Sequence, residues 1–262
     1  MEISKSFSKW VYEDGLAATE DPSHPCRPMV DWQTANGFTP FQLPEPYGGS
    51  KSDLNLAFIG LNPSISQSTT IPKATGEWSF EKYDKFYRDR IDNGPRRKDG
   101  KLTENVWLWN RIEDFGNSYL SDLIQGEFQL GANATLIEVV RYKSTKGWLG
   151  NPGQEENAVL EHQYKFTQAL LEDSGCNIVV PMGNDAIRQL SQFLKFSKPM
   201  PSKIREAMGN LYSAETSLGK HLYICPIQHM SYSAGRDRQE EVATQILTAY
   251  EKILGDQSQV AA

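Results

Sequence analysis

Four short apolar runs constrain this chain more than any other feature: "NLAFIG" (55–60), "ATLIEVV" (134–140), "NIVVPMG" (177–183) and "HLYICPI" (221–227). Each is too short for a buried helix and rich enough in branched residues for a strand covered on both faces. Helical patterns separate or follow them. "EENAVLEHQYKFTQALLEDSG" (155–175) carries apolar residues at helical spacing and ends on Gly175, a suitable C-terminal cap. "NDAIRQLSQFL" (184–194) starts directly after Gly183, and "DRQEEVATQILTAYEKILG" (237–255) is an amphipathic closing helix ending on Gly255. Continuous strands alternating with helices predict an α/β chain: a single three-layer α/β/α domain with a central four-stranded parallel sheet.

The domain boundaries follow from where this pattern is missing. Residues 1–43 hold many prolines and aromatics with little periodicity, and are expected to be an irregular N-terminal extension packed on the core. Residues 44–254 form the domain itself. Within it, 78–130 is a long excursion between the first two strands, rich in aromatics and expected to contain two helices. Residues 255–262 are expected to be a flexible tail.

Composition narrows the class of function. The 262 residues are enough for a full core, 39% are hydrophobic, and the mean hydropathy is -0.54. No apolar run approaches the roughly 20 residues needed to span a bilayer, and "MEISKSFSKWVYEDG" lacks the apolar core of a signal peptide. The expectation is a cytoplasmic monomer with no membrane partner. Cys26, Cys176 and Cys225 are odd in number and far apart, and the four histidines are scattered without an H-x-x-x-H pair. Neither a disulfide framework nor a metal or iron–sulfur site is expected, and no cofactor. The net charge of -6 is unlike that of a typical nucleic-acid binder, but a local basic face can act on an acidic protein. "RDRIDNGPRRKDGK" (88–101) is such a cluster. Its two readings are a solvated loop of mixed charge and a phosphate-contacting lobe in which Arg96 and Arg97 are the candidate contacts.

In an open α/β sheet, ligands bind beyond the carboxyl ends of the strands. Asn62, Glu138, the 183–185 turn and His229 all fall at or near such ends. The same positions carry a resemblance. "GLNPS" (60–64) resembles the first active-site motif of the uracil-DNA glycosylase superfamily, in particular its mismatch-specific branch with G-[IM]-N-P-G. "HMSYSAGR" (229–236) resembles the second motif, usually H-P-S followed by a residue that wedges into DNA. "LIEVVRYKS" (136–144) and "IVVPMGNDAIRQL" (178–190) resemble the family's second strand and its third strand with the following helix. Order and spacing agree over residues 44–254.

The resemblance implies a uracil-DNA glycosylase-like fold and a chemistry. Asn62 would orient the attacking water with its side-chain carbonyl, a positioning role because an amide is no base. His229 would stabilise the anion developing on the departing base. The base must leave the stack first. Ser64 and Ser231 become candidates for gripping phosphates, Tyr232 for the wedge, Arg236 for a backbone contact, and Trp78 or Phe80 for the face on which the base stacks. Taken alone, Asn62 reads as a turn-forming Asn-Pro and His229 as an ordinary core or loop histidine.

Three departures from the family pattern matter. Ser64 replaces a frequent glycine, and Met230 replaces the proline of the second motif. More sharply, Glu138 falls where uracil-reading members carry an asparagine. A carboxylate only accepts hydrogen bonds. It suits the exocyclic amine of a cytosine-type base and opposes the O4 of uracil. The expected activity is therefore that of a monofunctional DNA glycosylase, since neither motif holds a Schiff-base lysine. Its substrate would be a C5-modified cytosine, such as the glucosylated hydroxymethylcytosine of phage DNA, in antiphage defence. The alternatives are a uracil or mismatched-thymine glycosylase of base excision repair, and a non-catalytic nucleic-acid-binding module. For Glu138 itself the bland reading is a one-residue slip of the alignment or an ordinary ion pair.

Overall fold

A computed structural model describes residues 2–65, 71–89, 107–144, 154–230 and 238–260. Six strands form one sheet: β1 (Leu56–Gly60), β2 (Ala134–Glu138), β3 (Ile178–Pro181), β4 (Lys195–Phe196), β5 (Tyr212–Glu215) and β6 (His221–Ile224). Their spatial order is β2-β1-β3-β6-β5-β4. The first four in that order are parallel, and they are the four apolar runs of the sequence. Every residue of β1 and β3 is buried, as strands with neighbours on both sides and covered faces require.

The expectation of four parallel strands needs correcting. The sheet is six-stranded and mixed, because β5 runs antiparallel to β6, and β4 antiparallel to β5. These two added strands escape a search for apolar runs for a physical reason. β4 is two residues long and half solvated, and β5 (YSAE) alternates between buried and exposed positions. Lying at the edge of the sheet, they need only one covered face.

Eight helices accompany the sheet among the described residues: α1 (Lys5–Glu20), α2 (Arg27–Ala35), α3 (Phe80–Asp89), α4 (Trp107–Tyr119), α5 (Gln154–Asp173), α6 (Gly183–Phe193), α7 (Ile204–Ala207) and α8 (Gln239–Val260). α3 and α4 lie in the 78–130 excursion. α5 is followed by Gly175 in the left-handed region, with φ of 64°. α8 does not stop at Gly255 but runs on to Val260, so the tail expected from 255 onward begins with helix. A glycine inside a helix costs about 1 kcal/mol, and one alone does not end it.

The N-terminal segment is also more regular than its sequence suggests, since it contains α1 and α2. α1 buries Phe7, Ser8, Val11, Asp14, Gly15 and Ala18. That spacing is helical, but half of the buried face is polar or lacks a side chain, so hydrophobic periodicity cannot reveal it. Ser4 caps the helix by accepting a hydrogen bond from the Phe7 amide. The segment belongs to the same core as the sheet, with Phe7, Val11, Met29, Phe41 and Leu43 all buried there.

The topology positions a site. From β1 the chain passes to β2 on one side, then returns past β1 to β3 on the other. Connections leaving in opposite directions open a crevice between the carboxyl ends of β1 and β3.

Candidate functional site

The segment after β1 is fastened along its length to the segment after β2. Val139 and Val140 donate backbone hydrogen bonds to Gly60 and Leu61 at 3.0 and 2.8 Å; Ser144 donates to Pro63 at 3.3 Å, and Ile65 donates back to Ser144 at 3.2 Å. Asn62 therefore sits in a stretch pinned on both sides of it, with little freedom to move. Its side-chain amide donates to Ser144 Oγ at 2.8 Å and to the Pro63 carbonyl at 3.3 Å. A carbonyl oxygen can only accept, so the Pro63 contact fixes which end of the amide is the NH2 group. The other end, Oδ1, is thereby presented as an acceptor in a half-buried position.

Glu138 is the last residue of β2 and pairs in register with Gly60, the last of β1. Its carboxylate lies across that glycine. A Cβ built on Gly60 would meet Glu138 Oε2 at 2.2 Å and Cδ at 2.9 Å. Glycine at position 60 is thus the condition for a carboxylate over the end of β1, two residues before Asn62. Behind it, the continuation of β2 buries two cations. Lys143 pairs with Glu45 at 3.2 Å. The Arg141 guanidinium lies between the rings of Phe7 and Phe166, 5.4 and 5.9 Å from their centroids. It donates to the Val139 carbonyl and Thr167 Oγ1, while Nε and Nη2 have no hydrogen-bond partner. Burial pushes its pKa down to about 9, against the pull of Tyr83, Asp14 and Glu138, which favour the charge.

His229 follows β6 on a segment held against the end of β3. Ile227 donates to the Pro181 carbonyl at 3.0 Å, and Gly183 donates to the Ile227 carbonyl at 2.8 Å. Gly183 has φ of 86°, and a Cβ there would lie 3.3 Å from His229 Cβ. The left-handed turn and the close approach of the histidine both favour glycine at that position. Asn62, Glu138 and His229 therefore stand on the carboxyl ends of β1, β2 and β6, with β3 and Gly183 between the first pair and the third.

The remaining predicted contacts are less closely tied to this site. Ser64 is exposed and bridges to Ser144. Phe80 lies 5.8 Å from Tyr12 of α1, with the Lys5 ammonium 5.5 Å from its ring centre. Trp78 packs edge-on against Phe86 and carries Lys82 over its ring at 4.4 Å. The neighbours of both rings thus belong to α1 and α3 rather than to the strand ends. Arg88, the first member of the basic cluster, pairs with Glu2 at 2.7 Å and Asp84 at 3.0 Å, which ties α3 to the N-terminus. Arg96, Arg97, Ser231, Tyr232 and Arg236 lie outside the described residues.

Sequence spacing missed two features. Ser144, the last residue of the "LIEVVRYKS" stretch, is assigned no role by the sequence, yet it orients Asn62. The histidines and cysteines treated as scattered are also not all apart: ligand-type atoms of His24, Cys26 and His162 lie within 4.8 Å of one another. The closeness of His24 to Cys26 in sequence was the one local signal, and only the fold brings α5 beside them. No protein-family model matches the chain, and no curated protein does either.

Proposed function

We propose that the protein is a monofunctional DNA glycosylase that hydrolyses the N-glycosidic bond of a flipped-out C5-modified cytosine and leaves an abasic site. The observation that carries the reading is the orientation of Asn62: its NH2 group is held by Ser144 and Pro63, so its carbonyl faces away from them as a fixed acceptor. A water hydrogen-bonded to such an acceptor is positioned for attack on the sugar without being deprotonated by it. His229 supplies a hydrogen bond to the departing base as negative charge grows on it. The position of both groups beyond parallel strand ends, beside a topological switch point, fits a ligand crevice.

Glu138 selects the base. A carboxylate over Gly60 accepts from the N4 amine of a cytosine-type base and repels the O4 of uracil. Sparing of ordinary cytosine then falls to contacts with a C5 substituent, and glucosylated hydroxymethylcytosine in phage DNA is the proposed target. A uracil-DNA glycosylase-like three-layer arrangement agrees with the helix contacts: α5 meets α6 through Tyr164 and Gln189, α4 meets α8, and right-handed crossovers would set these pairs on opposite faces of the sheet.

The test is mass spectrometry of free bases released from duplexes carrying uracil, mismatched thymine or C5-modified cytosines. Release of the modified cytosine is expected from the wild type, with a loss of at least about a hundredfold in Asn62→Ala, whose positioned water is gone. Release of uracil alone would return the protein to repair. Absence of any abasic product would make it a binding module.

A further inference from the structure

Away from the strand ends, four side chains from three elements converge. Asp14 comes from the buried face of α1, His24 from the turn after it, Cys26 from the cap position of α2, and His162 from α5. Asp14 Oδ1 lies 2.6 Å from His162 Nε2 and 3.3 Å from His24 Nε2. Cys26 Sγ completes a group with the two histidines whose ligand-type atoms all lie within 4.8 Å. The side chains of His24, His162 and Asp14 are only 11%, 13% and 7% exposed, and Cys26 is fully buried.

We propose that Asp14, His24, Cys26 and His162 are the ligands of a structural zinc site that fastens the N-terminal segment to α5. The donor set of two imidazole nitrogens, one thiolate and one carboxylate suits zinc, which takes nitrogen, sulfur and oxygen ligands in a tetrahedron. Four protein ligands leave no position open, which is the pattern of a structural rather than a catalytic ion. Charge balances: Zn2+ with one thiolate and one carboxylate is neutral, so the ion can be buried without a further partner. Loading releases the Cys26 thiol proton to solvent, and His162 binds as a neutral imidazole through Nε2 with its ring proton on Nδ1. The His24 ring proton moves to Nδ1, and the bond that Nδ1 now accepts from the Cys26 amide at 3.1 Å is given up. The His24, Cys26 and His162 ligand atoms draw in from separations of up to 4.8 Å, and Asp14 Oδ1 parts from His162 Nε2, to the roughly 3.5 Å that metal–ligand bonds of about 2.0–2.3 Å impose.

Two further observations fit. An outer shell is already in place, since the Tyr142 hydroxyl donates to Asp14 Oδ2 at 2.8 Å and Gln163 Nε2 stands 3.5 Å from both Asp14 Oδ2 and Cys26 Sγ. There is also a path for the ion. A surface groove of about 810 Å3, lined by Pro22, His24, Arg27, Trp32 and Glu156, opens onto His24.

The site is independent of base excision, and so is its test. Full-length protein is stripped with a chelator, reloaded with Zn2+ and desalted, and bound metal is counted by plasma mass spectrometry. One zinc per chain is expected in the wild type and in a Cys176→Ser control. Cobalt loading should give a thiolate-to-metal charge-transfer band that Cys26→Ser abolishes. Tyr142→Phe keeps all four ligands but frees Asp14, and should weaken zinc binding about tenfold or more. A wild type that retains no zinc, or a Cys26→Ser protein that still shows the cobalt band, overturns the proposal. Should Cys26→Ser fail to fold by circular dichroism, His24→Gln on the groove wall takes its place. Wild-type zinc affinity in that folded variant overturns the proposal equally.

Discussion

Gly60 and Asn62 divide the work at the end of β1 between absence and presence of a side chain. Asn62 needs a fixed amide, and Gly60 needs to leave room for a carboxylate carried by the neighbouring strand. Gly60→Ala is therefore an instructive substitution. Its Cβ would meet the far end of a flexible glutamate rather than backbone, so the fold can absorb it by swinging Glu138 aside. The expected stability loss is about 1 kcal/mol, at the low end for an overpacked site. Under the proposed function, displacing the Glu138 carboxylate by about an ångström should lower excision of the modified cytosine tenfold to a hundredfold. A chemical denaturation curve beside a single-turnover excision rate checks both halves. A large stability loss with unchanged excision would contradict this account of Glu138.

At the scale of elements, α1 shows how close packing can reverse a propensity. Replacing a helical glycine with alanine ordinarily stabilises by up to about 1 kcal/mol. Gly15, however, faces the crossing segment of Leu43 and Pro44, and an added Cβ would lie 2.4 Å from Pro44 Cδ and 2.8 Å from Cγ. A proline ring cannot rotate away, and Pro44 is held by the Tyr83 hydroxyl, which donates to its carbonyl at 2.8 Å. Overpacking of about 1–3 kcal/mol then exceeds the propensity gain. Gly15→Ala should lower the melting temperature by a few degrees, measured by calorimetry, and a rise would show that α1 can move off the core. The same helix contributes Phe7 to the aromatic pair around Arg141, and its Trp10 lies 4.0 Å from Phe166. It is an integral part of the fold rather than an appendage.

Over the whole molecule, a group of buried phenols sets the alkaline limit of stability. Burial pushes Tyr47 up to about 12 and raises Tyr83 and Tyr87 well above 10. Between pH 10 and 12 the unfolded chain loses these protons while the folded chain keeps them, so stability falls as pH rises. Each tyrosine contributes a slope of about 1.4 kcal/mol per pH unit in that window. Below pH 10 both states are protonated and the contribution is constant. Tyr47→Phe removes the bond accepted from Ser8 Oγ at 3.1 Å, costing about 1 kcal/mol at neutral pH. It should nevertheless flatten the decline of the urea midpoint above pH 10. An unchanged slope would mean that Tyr47 ionises as freely folded as unfolded.

The sequence by itself determined the parallel part of the sheet and the place of the candidate site. Strands buried on both faces must be continuously apolar, so β1, β2, β3 and β6 announce themselves, and residues at their carboxyl ends follow from chain order alone. Asn62, Glu138 and His229 were legible for that reason. Tertiary structure decided the rest. Whether β4 and β5 join the sheet depends on β6, onto which β5 folds back through the turn at 216–220 and β4 then adds, and not on their own two and four residues. α1 hides because its inward face carries Ser8, Asp14 and Gly15, and the partners that hold Ser8 and Asp14 there include Tyr47, Tyr142 and His162, all more than 25 residues away. The orientation of Asn62 depends on Ser144, and the grouping of Asp14, His24, Cys26 and His162 on the docking of α1 against α5. Periodicity records which side of an element meets water. It carries no information about which two elements meet, and both the fixed amide and the proposed zinc site are made where they do.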